Sequence, residues 1–67
     1  MKNIVKLRKE KQISRKELAK YMHMSEAAIG RRERGEVPLT EYEIQKLIDI
    51  FGCTYEKLLD GELNNAK

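Results

Sequence analysis

Disulfide-forming cysteine pairs, tryptophan and long apolar runs are all absent from this chain of 67 residues. The single cysteine, Cys53, excludes an internal disulfide, so nothing in the sequence requires an oxidising compartment. No apolar stretch approaches the roughly 20 residues of a membrane-spanning helix, and none follows Lys2 as in a signal peptide. We therefore expect one cytoplasmic domain over residues 1–67, with a loose tail over 62–67 and no membrane partner.

The short length also argues against catalysis, because a domain of this size buries only roughly 60% of its unfolded surface. Such a thin core can hardly support the walls of a catalytic cleft. His23 has no second ligand beside it, so we interpret it as a turn residue, and Cys53 as a small packing residue. Glu41 and Glu43 fit the positive end of a helix dipole better than an acid pair. We predict no enzyme activity, no metal, no cofactor and no small-molecule effector.

Positive charge is concentrated in the first half of the chain. Residues 1–35 carry eleven Lys and Arg against four Glu, a net +7, whereas residues 36–67 carry three Lys against seven acidic residues, a net −4. Such a basic face is typical of a protein that binds a polyanion such as nucleic acid. A merely solvated, lopsided surface explains the charge equally well, so the decision depends on the motifs.

Helix start signals recur at Ser14, Ser25, Thr40 and Thr54. Ser14 and Thr40 each open a capping box, with a glutamate three residues later. Helix stop signals are the glycines at 35, 52 and 61. We predict an all-α fold of five helices, near residues 3–11, 15–22, 26–34, 41–51 and 55–60.

The spacing of apolar residues predicts the core. The fourth helix carries one stripe, made of Ile44, Leu47, Ile48 and Phe51. The remaining core is expected from the other helices: Ile4, Val5, Leu7, Leu18, Met22, Met24, Ile29, Leu58 and Leu59.

Residues 14–34 have the pattern of helix, short turn, helix, in which the second helix can enter the major groove of DNA. Ala19 allows the two helices to approach closely. If Ile29 points inward, 100° per residue places four residues on the outward half of the second helix: Ala27, Gly30, Arg31 and Arg34. Small residues let a helix lie deep in the groove, and an arginine there can bind guanine O6 and N7.

Four segments carry a resemblance to a known family: Ile13–Ala19, Met24–Ser25 with Ile29, Glu33–Gly35, and Phe51–Thr54 leading to Leu58–Leu59. In their order and spacing they resemble the Cro/phage-repressor (XRE-type) class of helix-turn-helix proteins, from about Ile4 to Gly61. The resemblance implies a five-helix, lambda-repressor-like domain that binds double-stranded DNA as a homodimer on a two-fold symmetric operator. It also implies a transcriptional regulator that represses, with helix 26–34 in the major groove.

The resemblance implies a role for individual residues. The residues expected to contact DNA bases lie toward the start of the recognition helix: Glu26, Ala27, Gly30 and Arg31. DNA phosphates are expected at the ends of the two helices, on Ser14, Arg15, Ser25 and Arg34. The family also pairs an arginine of the first helix with a glutamate of the recognition helix, and Arg8 and Glu33 match as a structural ion pair.

The chain departs from the family pattern at four positions. Arg15 stands in place of a glutamine, which strengthens attraction to phosphate, and His23 replaces a turn glycine. Arg32 occupies a position that is usually apolar or aromatic, so we expect a buried stem with its charged end in solvent. The loop at Pro38 is one residue out of the common register. Few hydrogen-bonding groups remain at base-facing positions, so we expect either modest specificity or specificity that rests partly on DNA shape.

A second hypothesis is a protein-interaction module, such as an antitoxin-like partner. The acidic second half and the apolar residues Tyr55, Leu59 and Leu63 favour it. Arg31, Arg32 and Arg34 can form a solvated face, but their place in the motif favours DNA contact. In either case we expect any homodimer to form through the fifth helix and the loop before the fourth.

Overall fold

A computed structural model describes residues 2–59, which form five α-helices and, within that range, no strand. The helices are α1 (Lys2–Glu10), α2 (Arg15–Met22), α3 (Glu26–Glu33), α4 (Glu41–Phe51) and α5 (Tyr55–Leu59). The prediction of an all-α, five-helix fold is confirmed, and each boundary lies within one residue of its expected position, except that the end predicted for the fifth helix at residue 60 lies outside the described residues. The stop expected at Gly61 and the tail expected over 62–67 lie outside the described residues.

The four predicted helix starts are confirmed by their N-caps. At Ser14, Ser25, Thr40 and Thr54 the side-chain hydroxyl oxygen accepts from the backbone N–H three residues further on, at 3.0–3.1 Å. The boxes at Ser14 and Thr40 are complete, because the glutamate of each also accepts from the backbone N–H of the cap. Each start thus satisfies backbone donors that have no partner within the helix.

Residues in the left-handed backbone conformation follow the helices. Gly35 (φ 79°) and Gly52 (φ 63°) follow α3 and α4 as predicted, and His23 (φ 58°) ends α2 in the conformation expected of a turn residue. Gln12, after α1, has the same φ of 58°, which the sequence did not signal. His23 and Gln12 adopt this conformation at a steric cost that glycine does not have.

Replacing His23 with glycine is therefore expected to raise the free energy of unfolding by about 1 kcal/mol, which is about 4–8 °C in Tm for a domain of this size. Thermal melts followed by circular dichroism measure the change. Gly52→Ala is the matched control, because its φ is 63° and an added Cβ meets no atom within 4 Å. We expect this control to lower Tm by a similar amount, and a fall in Tm for His23→Gly would contradict the backbone argument.

The core is built from residues of all five helices, and α4 packs against α5. α2 packs against α3 and α4, while α1 packs against α3 and α5. The buried apolar residues are Ile4, Leu7, Leu18, Ala19, Met22, Ile29, Leu47, Phe51 and Leu58. Five residues predicted for the core are only half-buried at its edge: Val5, Met24, Ile44, Ile48 and Leu59. With Ile29 2% exposed, α3 is anchored on one side and presents its other side outward.

Candidate nucleic-acid interface

The turn between α2 and α3 is fixed by backbone hydrogen bonds. The N–H of His23 donates to the carbonyls of Ala19 and Lys20, and the N–H of Met24 donates to the Ala19 carbonyl at 2.9 Å. Ser25 then caps α3. Ala19 is 3% exposed and lies on the side of α2 that packs against α3. The direction of α3 therefore follows from local backbone geometry and a close helix contact.

The first residues on the outer face of α3 are small or charged. Glu26, Ala27 and Arg31 are exposed, and Ala28 is half-buried. Gly30, which we expected on the outward surface, is instead buried. It lies 100° from Ile29, at the edge of the outward half, and the guanidinium groups of two arginines cover it. The expected exposure of Gly30 is thus wrong for the protein without DNA.

Glu33 lies at the centre of an ion-pair network that joins α1, α2 and α3. Its side chain is 2% exposed, and Arg8 Nε donates to Oε2 at 2.9 Å. Arg15 Nε donates to the other carboxylate oxygen, Oε1, at 3.1 Å, and Arg15 Nη2 lies 3.0 Å from the same oxygen. The Arg8 guanidinium also donates to the Ile13 carbonyl at 3.2 Å. One buried carboxylate therefore orients two arginines, and Arg15, 45% exposed, carries the charge that faces outward.

Arg34, directly after α3, pairs with an acid of the following loop. Its Nε donates to Glu36 Oε2 at 2.6 Å, and both side chains are 55% exposed. The hydrogen bond from Arg34 lowers the pKa of Glu36, and the same bond raises the pKa of Arg34. Both groups stay charged at neutral pH, so a phosphate that approaches Arg34 meets Glu36 beside it.

Arg32 points away from the outer face, toward α4. Arg32 Nε and Nη2 donate to the two carboxylate oxygens of Glu43, each at 3.2 Å. Arg32 Nη1 donates to the Ala28 carbonyl at 2.9 Å. The expectation that its charged end reaches solvent is wrong, since the side chain is only 16% exposed. Arg32 follows Ile29 by three residues, or 300° around the helix, which places it on the inner half. It therefore does not belong with Arg31 and Arg34.

Glu43 serves both the α4 cap and this ion pair. Burial raises its pKa, but hydrogen bonds from Arg32 and from the Thr40 backbone N–H outweigh that effect, so the pKa is lowered overall. The carboxylate is therefore ionised at neutral pH. Through it, α3 is attached to the start of α4.

The N-terminus of α2, an expected phosphate site, already holds an acidic group. The Ser14 N–H donates to Glu17 Oε1 at 2.9 Å, and this bond lowers the pKa of Glu17. Ser14 is exposed, and its hydroxyl proton is still a possible donor to a phosphate. Ser25, at the start of α3, is exposed in the same way. Arg15 is therefore the stronger attraction for a phosphate at this end of α2.

Sequence reasoning missed three of these partners: Glu36 for Arg34, Glu43 for Arg32, and a second arginine on Glu33. The helical angle of Arg32 was an available signal for its inward direction. The substitution of Arg15 for the family's glutamine, close to the pair of Arg8 and Glu33, was a signal for the network. For Glu36 we find no comparable signal in the sequence.

A groove of about 350 Å³ lies between the loop before α4 and α5, away from the start of α3. Its lining is mainly apolar: Val37, Pro38, Leu39, Ile44 and Leu59, with Arg32 and Gly35 at one side. This is the region where the sequence analysis expected a dimer contact. A second cavity borders Cys53, and burial raises the pKa of its thiol, which favours the unreactive protonated form.

A protein-family model described as helix-turn-helix matches residues 4–58, from within α1 to within α5. No curated protein and no solved structure matches the chain. Within residues 2–59, no group of three or more His, Cys, Asp or Glu is placed to hold a metal ion. Over the same range, no helix is long and apolar enough to cross a membrane.

Proposed function

The chain belongs to the XRE/lambda-repressor-like helix-turn-helix family of DNA-binding regulators, and from that premise we propose that it is a sequence-specific transcriptional repressor. It binds a two-fold symmetric operator as a homodimer, with α3 in the major groove. The observation that carries this proposal is the outer face of α3. That face combines exposed small and charged residues with arginines at its end, on a helix fixed by a helix-turn-helix turn.

Base reading is assigned to Glu26, Ala27 and Arg31, the exposed residues on this face of α3. Arg31 has the guanidinium fork that binds guanine O6 and N7 in two parallel hydrogen bonds. Ala27 is small enough to contact a thymine methyl, and Glu26 can accept from cytosine N4. Gly30 supplies no side chain and is covered in the free protein, so it contributes only by allowing close approach.

Phosphate binding is assigned to Arg15 and Arg34, supported by the hydroxyl groups of Ser14 and Ser25. Arg15 and Arg34 are 45% and 55% exposed, and their guanidinium groups lie beside Gly30 of α3. Phosphate contacts of this kind fix the register of the helix in the groove without reading sequence. They also release counterions, so affinity is expected to fall linearly with the logarithm of the salt concentration.

The homodimer is assigned to the apolar groove formed by the loop before α4 and by α5. Val37, Leu39 and Leu59 line it, and their surfaces are only partly covered. A two-fold symmetric operator requires a dimer that presents its two copies of α3 to successive major grooves. Half-sites would then lie about one helical turn, roughly 34 Å, apart.

Selection of bound sequences from a random pool of duplex DNA, at near-physiological salt, tests the proposal. Enrichment of an inverted repeat with half-sites one helical turn apart is the expected result. Binding without enrichment would mean that the basic face holds phosphates but reads no sequence. No binding at any salt concentration would reject the DNA-binding function for this chain.

Arg31→Ala is expected to change which base is preferred at one operator position, by about 1–3 kcal/mol of discrimination. Arg34→Ala is the matched control, since it removes a phosphate contact and is expected to weaken binding to all sequences alike. Affinities for the operator and for single-base variants, measured by fluorescence anisotropy, separate the two effects. Equal losses on every sequence for Arg31→Ala would reject its role in base reading.

The alternative function is a protein-interaction module, which the apolar groove favours. A partner with a small apolar helix or loop would pack against Val37, Leu39 and Leu59. This alternative gains weight if the protein stays monomeric at high concentration in light scattering and shifts no DNA. A dimer that enriches an inverted repeat rejects it as the main function.

A further inference from the structure

Two guanidinium groups meet over Gly30, on the outer side of α3. An ideal Cβ built on Gly30 would lie 3.1 Å from Nη1 of Arg34 and 3.5 Å from Nη1 of Arg15. Two positively charged groups from different helix ends therefore converge on one point. Like charges repel, so such a convergence needs groups that hold each arginine in place.

A carboxylate holds each of these arginines by its Nε side. Arg15 Nε donates to Glu33 at 3.1 Å, and Arg34 Nε donates to Glu36 at 2.6 Å. In both cases the Nη1 end of the fork is directed to Gly30. A Cβ on Gly30 would crowd Nη1 of Arg34, whereas Nη1 of Arg15 would stay in ordinary van der Waals contact.

The positive charges of the cluster outnumber its negative charges. Arg8, Arg15 and Arg34 face Glu33 and Glu36, Arg8 already neutralises Glu33 in the buried part of the network, and Arg31 also acts on Glu36. A group with a single negative charge would reduce this excess. A phosphodiester has that charge, and its oxygens accept strong hydrogen bonds from guanidinium groups.

We propose that Arg15 and Arg34 together bind one backbone phosphate of DNA over Gly30, where the missing side chain leaves room for Nη1 of Arg34. The inference rests on the proposed DNA-binding function and deepens it. It replaces two separate phosphate contacts with one shared contact. It also removes Gly30 from base reading and makes it the floor of a phosphate site.

Gly30→Ala tests the role of the missing side chain through two readouts of opposite sign. Alanine is the better helix former, and the atoms its Cβ would meet are ends of flexible side chains. We therefore expect Tm to rise by about 3–6 °C. The same Cβ crowds Nη1 of Arg34, so affinity for duplex DNA is expected to fall about tenfold. Unchanged or increased DNA affinity in a stabilised Gly30→Ala variant would overturn the proposal.

The number of phosphates is counted by the salt dependence of binding. Arg15→Gln, Arg34→Gln and the double variant are compared with the wild type on the same duplex. For one shared phosphate the slope of log affinity against log salt should decrease by about 0.9 in the double variant, whereas two separate phosphates predict about 1.8. Lys57→Gln, an exposed cation on α5, is the control for loss of one charge.

Neutral methylphosphonate groups, placed one at a time along the bound duplex, identify the phosphate. We expect one position per protein copy at which neutralisation weakens wild-type binding and at which both single variants lose that sensitivity. Two different positions for the two variants would overturn the shared site and leave the DNA-binding function intact. Failure of the wild type to bind any duplex would instead reject the proposed function itself.

Discussion

Replacing Glu33 with glutamine is expected to lower the free energy of unfolding by about 3–5 kcal/mol, because a buried arginine loses its counter-charge. The Glu33 side chain is 2% exposed, and its main partner, Arg8, is 12% exposed. Domains of this size have free energies of unfolding near the lower end of the usual range of about 5–15 kcal/mol. Much of the variant should therefore be unfolded at physiological temperature, as measured by urea denaturation with circular dichroism.

Glu36→Gln is the matched control, because it makes the same change in an ion pair that is 55% exposed. Exposed pairs contribute little to stability, so its urea midpoint is expected to stay close to that of the wild type. Arg8→Met combined with Glu33→Leu removes both buried charges and should regain part of the lost stability. If the urea midpoint of Glu33→Gln equals that of the wild type, the network does not hold α1 and α3 together.

Most of the fold could be predicted because its signals are local. Each N-cap at Ser14, Ser25, Thr40 and Thr54 acts on the backbone three residues away, so the sequence alone determines the start of four helices. In the same way, the glycines that follow α3 and α4 predicted where these two helices end. Gln12 was missed because glutamine carries no preference for its left-handed conformation, which the surrounding fold imposes.

The candidate site was predicted less completely because it depends on how helices cross. The start of α3 and its exposed residues follow from helical periodicity. The covering of Gly30 follows only in part, since Arg34 lies four residues later on the same face but Arg15 reaches across from α2. The pairing of Arg32 with Glu43 likewise joins residues that only the packing of α3 beside the start of α4 brings together. Local sequence patterns therefore do not predict which side chains of different helices pair with each other.

Leu59→Asp is expected to weaken binding to a two-half-site operator by about 10²–10⁴-fold, because it removes the avidity of a dimer. Leu59 lines the apolar groove and is half-buried, whereas its neighbour Leu58 is 0% exposed and belongs to the core. A carboxylate at position 59 would be desolvated in a dimer contact through the groove, which costs free energy that the contact cannot recover. Affinity for the full operator, measured at equal protein concentrations, gives the size of the loss.

Affinity for a single half-site separates loss of the dimer from loss of the fold. We expect Leu59→Asp to bind a half-site almost as tightly as the wild type, since α5 lies away from α3 and carries none of the DNA contacts proposed above. Tyr55→Asp is the matched control, because it adds the same charge to α5 at a residue outside the groove lining. Equal losses for the two variants would mean that added negative charge, and not the groove, weakens binding. A Leu59→Asp protein that remains dimeric in light scattering would move the dimer contact to another face.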